Sequence, residues 1–322
     1  MTVSLNATQM HPLKARAFVL GPISPSVRSL IEAAEFQIVE FKYSRIQDVL
    51  SASRACQILI INQEIMDSQC STLTSLNHWV AIAILKNYEC DFHTTAPIFR
   101  PKHLISSIMA RSVAELVIGQ IFSLARHLPN RPGFEIRNKT LGILGYGNVG
   151  VQVSYMAEAL GMQVMYYDTE YVMHYGRAKS AKTLSELLEQ SDIVTLHVPT
   201  DTPTMLNEKH LMHMMRKGSY IVDVSHSQAL DRQALEYALN EQHLYGAALD
   251  RPLAEKETNK AQNLLLTHDL RYSTQEVQDA VAISSLTQLL EFLKRVAHTT
   301  PKSVIIDDVT IDATATKMAL AK

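Results

Sequence analysis

The stretch Thr140-Leu141-Gly142-Ile143-Leu144-Gly145-Tyr146-Gly147-Asn148-Val149-Gly150 decides the fold of this chain. A short apolar run leads into glycines spaced G-x-G-x-x-G. Val149, Val153, Met156 and Leu160 then fall on one helix face. A second apolar run, Gln163 to Tyr167, follows and ends in an acid, Asp168. The order is strand, glycine turn, helix, strand, acid. Gly145 permits the tight turn, Gly147 lets backbone approach a pyrophosphate, and Gly150 lets helix and strand pack closely. The N-terminus of the helix offers free N–H groups and the positive end of its dipole to the phosphates. Asp168, about 20 residues further on, is placed to accept hydrogen bonds from an adenosine ribose. An acid there repels a 2′-phosphate, so the expected cofactor is NAD rather than NADP. A glycine-rich turn in some other α/β fold is the bland alternative to this full βαβ context.

Working outward, the same alternation continues. Ile193 to Leu196, Tyr220 to Val222, Ala247 to Leu249 and Leu264 to Thr267 are short and apolar on both faces, as buried parallel strands require. Between them, Thr183 and Glu186 form a capping-box pattern before Leu187 and Leu188, and Asp231 is placed to cap a helix ending near Asn240. Alternating β and α units imply a doubly wound parallel sheet. The first hundred residues repeat the style less regularly. Ala17 to Leu20, Gln37 to Phe41, Gln57 to Ile61 and Val80 to Leu85 are strand candidates. Pro25 to Ala34 is a helix candidate with Ser24 as its N-cap. Ala110 to Leu128 should form a long helix joining two units. Ser284 to Ala297 should form another that returns to the first unit, and the residues from Pro301 to Lys322 should form a loose tail.

Composition narrows the function. The chain has 322 residues, 47% hydrophobic and 19% charged, with a net charge of −2. These are values of a globular protein with room for about two domains. Nothing forms the basic stripe of a nucleic-acid binder, and no apolar run is long enough to span a bilayer. Cys56, Cys70 and Cys90 have no C-x-x-C spacing and read as free thiols of a reducing compartment. With no signal-like segment from Met1 to Arg16, a cytoplasmic location is expected. His210 and His213 stand at i, i+3, but no Cys or carboxylate completes a metal motif with them, so no metal is expected. The methionines from Met205 to Met215 read as core filler.

Several segments together resemble a known family. Arg111-Ser112-Val113-Ala114-Glu115-Leu116-Val117-Ile118-Gly119 is similar to the interdomain helix of the D-2-hydroxyacid dehydrogenases, with 3-phosphoglycerate dehydrogenase as the nearest group. The glycine stretch, Leu196-His197-Val198-Pro199, Gly246-Ala247-Ala248-Leu249-Asp250 and Ser273-Thr274-Gln275-Glu276 continue the likeness. It is strong from about Arg111 to Val277 and weaker before that. The resemblance implies a Rossmann NAD domain over 109–283, inserted into a smaller flavodoxin-like α/β substrate domain made of 1–108 and 284–322. It implies hydride transfer between NAD and a 2-hydroxy acid, or its 2-keto acid partner. On the cofactor side it implies contacts from Gly145, Gly147, Asn148, Val149, Gly150 and Asp168. It adds His197, Val198, Pro199, Thr204, Val224, Ser225 and Asp250.

The catalytic positions depart from the pattern. An Arg that grips the carboxylate sits in the family segment Asn-Ala-Ser-Arg-Gly. Here the segment is Asp223-Val224-Ser225-His226-Ser227, with His226 in the Arg position. An imidazole cannot give the two parallel bonds of a guanidinium. The acid/base His of Pro-His-Ile-Gly-Gly-Ser-Thr is matched by Asp269 in His268-Asp269-Leu270-Arg271-Tyr272-Ser273-Thr274, so bulky side chains stand at the two glycine positions. An ionised Asp donates no proton at neutral pH. His268 could serve after a register shift, although one residue along an extended segment turns the side chain to the other face. Glu255 matches the third catalytic position. Asn62-Gln63-Glu64 replaces the family's substrate arginines, and the chain is short between Arg126 and Gly133, where an arm helps build the family's dimer.

Three functions follow as expectations. The first is an NAD-binding relative with impaired or lost catalysis, serving as a structural or regulatory partner of itself in a homo-oligomer or of a paralogue. The second is a working dehydrogenase with an altered substrate, using His226, His268 or Asp269 in new roles. The third is an NAD(H)-sensing regulatory or scaffold protein.

Overall fold

The computed structural model describes residues 15–41, 46–62, 67–76, 78–85, 94–101, 105–127, 132–170, 172–173, 176–251, 261 and 263–299. The chain forms two compact units, one taking in residues 1–102 and 278–322, the other residues 103–277.

The first unit runs β1 (Arg16–Leu20), α1 (Pro25–Ala33), β2 (Gln37–Phe41), α2 (Ile46–Ser53), β3 (Ile58–Ile61), α3 (Asp67–Thr74), β4 (Ala81–Ile84) and β5 (Ile98–Phe99). Its strands are all parallel, in the order β2-β1-β3-β4-β5. That is the flavodoxin-like arrangement. All four residues of β3 and of β4 are buried, because helices cover both faces of the sheet. Val19, Ile58, Ile60 and Ala83 pack with Val27 and Ile31 of α1. Phe18, Leu20, Leu59 and Ile61 face the other way, toward Val49 and Leu73. Trp79 closes that second face, and its indole N–H donates to the Leu73 carbonyl at 2.8 Å. Ser24 caps α1 as expected, its hydroxyl accepting from the Val27 N–H with Pro25 in the first turn.

The second unit runs α4 (Ile105–His127), β6 (Thr140–Leu144), α5 (Asn148–Ala159), β7 (Gln163–Tyr167), β8 (Lys179–Ser180), α6 (Leu184–Gln190), β9 (Ile193–Leu196), β10 (Tyr220–Asp223), α7 (Arg232–Asn240), β11 (Gly246–Arg251) and β12 (Leu264–His268). These strands too are parallel, in the order β12-β11-β10-β9-β6-β7-β8. The first strand, β6, therefore has β7 on one side and β9 on the other, so the winding direction reverses there. Leu187, Leu188, Leu235 and Leu239 of α6 and α7 bury against Val194, Leu196, Ile221 and Leu249 of the strands. Helix α4 packs along α5. Asp231 caps α7 by accepting from the Gln233 and Ala234 N–H groups. Thr183 accepts from the Glu186 N–H, while the Glu186 carboxylate reaches back to the Lys182 N–H at 2.7 Å.

The last helix, α8 (Gln275–Thr299), begins well before the expected Ser284. Thr274 accepts from the Val277 N–H and so starts it, and Val277 and Val281 are buried. From Gln278 its residues belong to the first unit, where Ala282, Leu286 and Leu289 join the α1 face of the core. Helix α4 likewise begins at Ile105, ahead of the expected Ala110. The tail from Pro301 to Lys322 lies outside the described residues.

Gly142 shows how tightly β6 is covered. A Cβ there would stand 2.1 Å from the Ser191 hydroxyl oxygen, which is itself bound to the Leu187 carbonyl. Gly142→Ala is expected to lose about 1–3 kcal/mol by overpacking, read as a lowered urea midpoint with unchanged slope.

Candidate functional site: a crevice at the switch point of the second sheet

A crevice of about 900 Å³ opens where β6 and β9 end. Such a switch point is where open α/β sheets bind ligands. Gly145 makes the turn out of β6 with φ +91, and its N–H donates to the Tyr167 carbonyl at 2.9 Å. A Cβ at Gly145 would stand 2.7 Å from the His197 carbonyl oxygen, and one at Gly150 would stand 2.4 Å from the Gly145 carbonyl oxygen. Gly147 is different. A Cβ there would meet nothing within 4 Å, and Gly147 caps α5 without any side-chain hydrogen bond to the helix N–H groups. Gly145 and Gly150 serve packing, whereas Gly147 leaves a cradle open before a helix N-terminus.

Tyr146, between the first two glycines, is wholly buried. It stacks on Tyr166 with ring centroids 3.9 Å apart and meets the Ser154 hydroxyl at 3.1 Å. Its backbone N–H donates to one Asp168 oxygen at 2.8 Å, and the Glu170 N–H donates to the other at 3.1 Å. The turn and the acid are thus locked together. A carboxylate accepts at about four sites, so these bonds leave capacity for ribose hydroxyls.

His197, Val198 and Pro199 form the opposite wall. The His197 ring meets the Thr195 hydroxyl at 3.0 Å. Burial pushes its pKa down to about 3, so the ring is neutral at physiological pH. Asn148, Val149, Val224 and Ser225 also line the crevice, as do Met109, Val113, Thr169, Glu170, Thr202, Met205 and Arg271. The sequence singled out none of this second group as cofactor contacts. Only Arg271 carried a signal, as a long side chain at a glycine position. Thr204 is exposed and donates to the Gln228 carbonyl. The neighbouring Thr202 and Met205 face the crevice instead.

Of the expected catalytic residues that are described, His226 and Asp269 meet each other, and neither they nor His268 line the crevice. His226 has a left-handed backbone, φ +56, and its side chain is only 4% exposed. It does not line the crevice. It turns onto Asp250, wholly buried, with Nε2 3.2 Å from a carboxylate oxygen. Burial raises the pKa of Asp250. The hydrogen bonds from His226, the Thr267 hydroxyl and the Leu270 N–H, with the charge of His226, outweigh it and leave the carboxyl below its ordinary value. Asp269 is also left-handed, φ +52. Its side chain is 43% exposed, and its carboxylate stands 4.0 Å from the other ring nitrogen of His226. His268 ends β12 and is exposed. Glu255 lies outside the described residues, as do Gln63 and Glu64. Asn62 is described, and its amide donates to the Pro22 carbonyl.

A second polar group lies beside these. Asp223, wholly buried, accepts from the Ser225 N–H and hydroxyl at 2.9 and 2.7 Å and from Arg251 at 3.1 Å. The hydroxyls of Ser225 and Ser227 are 2.7 Å apart. Arg251 is fully buried, and its Nε and second terminal nitrogen have no hydrogen-bond partner. Among the described residues no cluster of His, Cys, Asp and Glu could hold a metal ion, and His210 pairs with Asn207. No described helix is long and apolar enough to cross a membrane.

Residues 112–274, just over half of the chain and containing every wall of this crevice except Met109, match the model of the D-isomer specific 2-hydroxyacid dehydrogenase, NAD binding domain. The chain belongs to that family. D-3-phosphoglycerate dehydrogenase 2 of Saccharomyces cerevisiae is 37% identical over 217 residues, 57% of this chain and 46% of that one. D-3-phosphoglycerate dehydrogenase of Dictyostelium discoideum is 37% identical over 209 residues, 57% of this chain and 51% of that one. The chain thus spans about half the length of these curated relatives in the match. Among solved structures, a D-2-hydroxyisocaproate dehydrogenase superimposes with a TM-score of 0.69 at 15% identity, covering 88% of this chain and 98% of that one. The NAD-complexed D-isomer specific 2-hydroxyacid dehydrogenase of Lactobacillus delbrueckii ssp. bulgaricus gives 0.66 at 19%, covering 90% of this chain and all of that one. At such identities the likeness is one of fold. NAD is the cofactor of this domain, and the open Gly147 cradle, the uncapped helix and the fixed Asp168 suit it.

Gly147→Ala separates binding from folding. The added methyl meets no protein atom; with the pyrophosphate held at this turn, as the motif implies, NADH affinity should fall by roughly tenfold or more with no change in Tm. Calorimetry and a thermal melt test the pair. The His197 ring yields a pH signature. Its folded pKa is about 3 against an ordinary 6.5, so the unfolded chain binds the extra proton between those values. The stability it confers is complete above about pH 6.5 and is lost as pH falls toward 3. Between pH 7 and pH 5, the urea midpoint of His197→Gln should therefore fall less than that of the natural chain.

Proposed function

We propose that this chain holds NAD in the crevice of its second unit but transfers hydride poorly or not at all on the usual 2-hydroxy acids of its family. The observation that carries this is the placement of His226, sealed against Asp250 where the family presents an arginine to substrate. The acid/base position holds Asp269, a carboxylate in place of the family's imidazole, and it does not line the crevice. Among the described residues lining the crevice His197 is the one imidazole, and burial keeps it neutral.

Gly145, Gly147, Asn148 and Val149 would hold the pyrophosphate, Asp168 the adenosine ribose, and Val198, Pro199, Val224 and Ser225 the remaining walls. When bound, NAD supplies the hydride acceptor and NADH the donor. What the chain provides is a pocket with a fixed glycine turn at one wall and His197, Val198 and Pro199 at the other. Asp250, expected as a cofactor contact, does not line the crevice; it meets His226 and accepts from Thr267 and the Leu270 N–H. The first unit, with its flavodoxin-like order, would be the substrate-type domain. A second reading, a dehydrogenase with an altered substrate, is favoured by Arg271 in the crevice wall.

NADH titration followed by a panel of 2-keto acids, 3-phosphohydroxypyruvate included, separates the two. Binding with turnover at least ~1000-fold below a common enzyme rate of about 10 s⁻¹ is expected. Turnover near that rate on any member of the panel would establish the second reading, and absence of NADH binding would sink both. His226→Arg combined with Asp269→His should raise the rate if these two positions are the cause.

A further inference from the structure

Resting on the NAD-holding reading, we propose that Tyr166 is a positioning residue that fixes the acidic end of the crevice and so sets its preference for NAD over a 2′-phosphorylated dinucleotide.

Tyr166 and Tyr167 stand side by side at the end of β7 and face opposite ways, as successive strand residues do. Tyr167 lines the crevice. Tyr166 is buried away from it, its ring stacked on that of Tyr146 at 3.9 Å. A buried phenol needs a partner for its hydroxyl. The Tyr166 hydroxyl donates to the Val172 carbonyl at 2.9 Å, six residues further along. The chain leaving β7 is thus fastened twice. Asp168 is held by the Tyr146 N–H at 2.8 Å, and Val172 by the Tyr166 hydroxyl. Both ties lead back to the same stacked pair of tyrosines.

Thr169 and Glu170, between those two ties, line the crevice with Asp168. The Glu170 N–H donates to the second Asp168 oxygen at 3.1 Å, so each oxygen carries one backbone donor and the carboxylate is oriented. A ribose diol gains from acceptors held in one orientation. A 2′-phosphate in the same place meets two carboxylates of like charge, Asp168 and Glu170. Glu170 is exposed, so its place at the crevice depends on the backbone that carries it. Without the Tyr166 hydroxyl the anchor at Val172 is gone. The Glu170 N–H can then leave Asp168, and the second carboxylate can move off the rim. Tyr166 itself does not line the crevice and acts through these two acids.

Tyr166→Phe keeps the ring stack and removes the tie. NADH and NADPH are titrated separately by calorimetry into the natural chain and the variant. The natural chain should prefer NADH. In Tyr166→Phe, NADH should weaken by about three- to tenfold, the worth of one hydrogen bond. NADPH should hold or tighten, so the ratio of the two affinities falls. Hydrogen exchange at the Glu170 amide, read by NMR without cofactor, should speed up. Glu170→Gln, which keeps the backbone donor, should tighten NADPH. Ser154→Ala removes the hydroxyl partner of Tyr146, leaves the tie intact and should keep the natural ratio. A lower Tm in Tyr166→Phe with an unchanged ratio would assign the tyrosine to stability alone and overturn the proposal. Unchanged Glu170 exchange, unchanged NADPH affinity in Glu170→Gln, an equal fall of the ratio in Ser154→Ala, or a natural chain indifferent between the dinucleotides would overturn it too. Failure of the natural chain to take up NADH overturns the reading beneath it as well.

Discussion

The second unit is organised by one backbone contact. The turn leaving β6 passes so close to the end of β9 that a Cβ on Gly145 would collide with the His197 carbonyl oxygen. Only a residue without a side chain, at φ +91, fits. The closeness follows from the parallel pairing of β6 with β9, which also sets the His197 N–H on the Leu144 carbonyl at 2.8 Å. Tyr146 is pressed into the core behind it, and α5 starts with its N–H groups facing outward. The crevice exists because two strands end side by side and the chain between them has no side chain to fill the gap.

The inner end of the crevice is governed by a different constraint. Buried polar atoms must be satisfied, and around the loop after β10 they satisfy one another. Asp250 takes His226, Thr267 and the turn at Leu270, while Asp223 takes Ser225 and Arg251. Each bond made inside this cluster is one that a ligand cannot make. The left-handed backbone of His226 and Asp269 belongs to the same arrangement.

Much of this was legible in the residues. The nucleotide-binding half has glycines, caps and two-sided apolar strands that agree with one another, so its fold and the crevice at Gly145 could be read off directly. The glycines did not disclose their division of labour, since packing and ligand approach demand the same residue. Helices α2 and α3 escaped notice for ordinary reasons. The first has only eight residues in which to show the spacing of Ile46, Val49 and Leu50, and the second, Asp67–Thr74, is mostly polar. Strands β5 and β8 are two residues each, too short to carry any period. The substitution at His226 was visible, but its direction was not. Whether an imidazole faces a ligand or a buried acid depends on Asp250 and Thr267, brought together only by the pairing of β11 with β12. Arg271 was read as an obstacle at a glycine position, because charge without location says little.

Arg251 has a bearing on any effort to install a family-type loop after β10. It lies in the interior, and among the described residues its one counter-charge is Asp223 and two of its nitrogens lack hydrogen-bond partners. A buried cation stripped of its partner costs about 3–5 kcal/mol, a large part of what holds a domain together. Grafting the whole family segment, with a neutral Asn at position 223, would inflict that penalty and obscure whatever the restored arginine contributed. The two sites are tied: removing either partner first leaves the other charge buried alone, so moving between the two loop chemistries means changing 223 and 251 together.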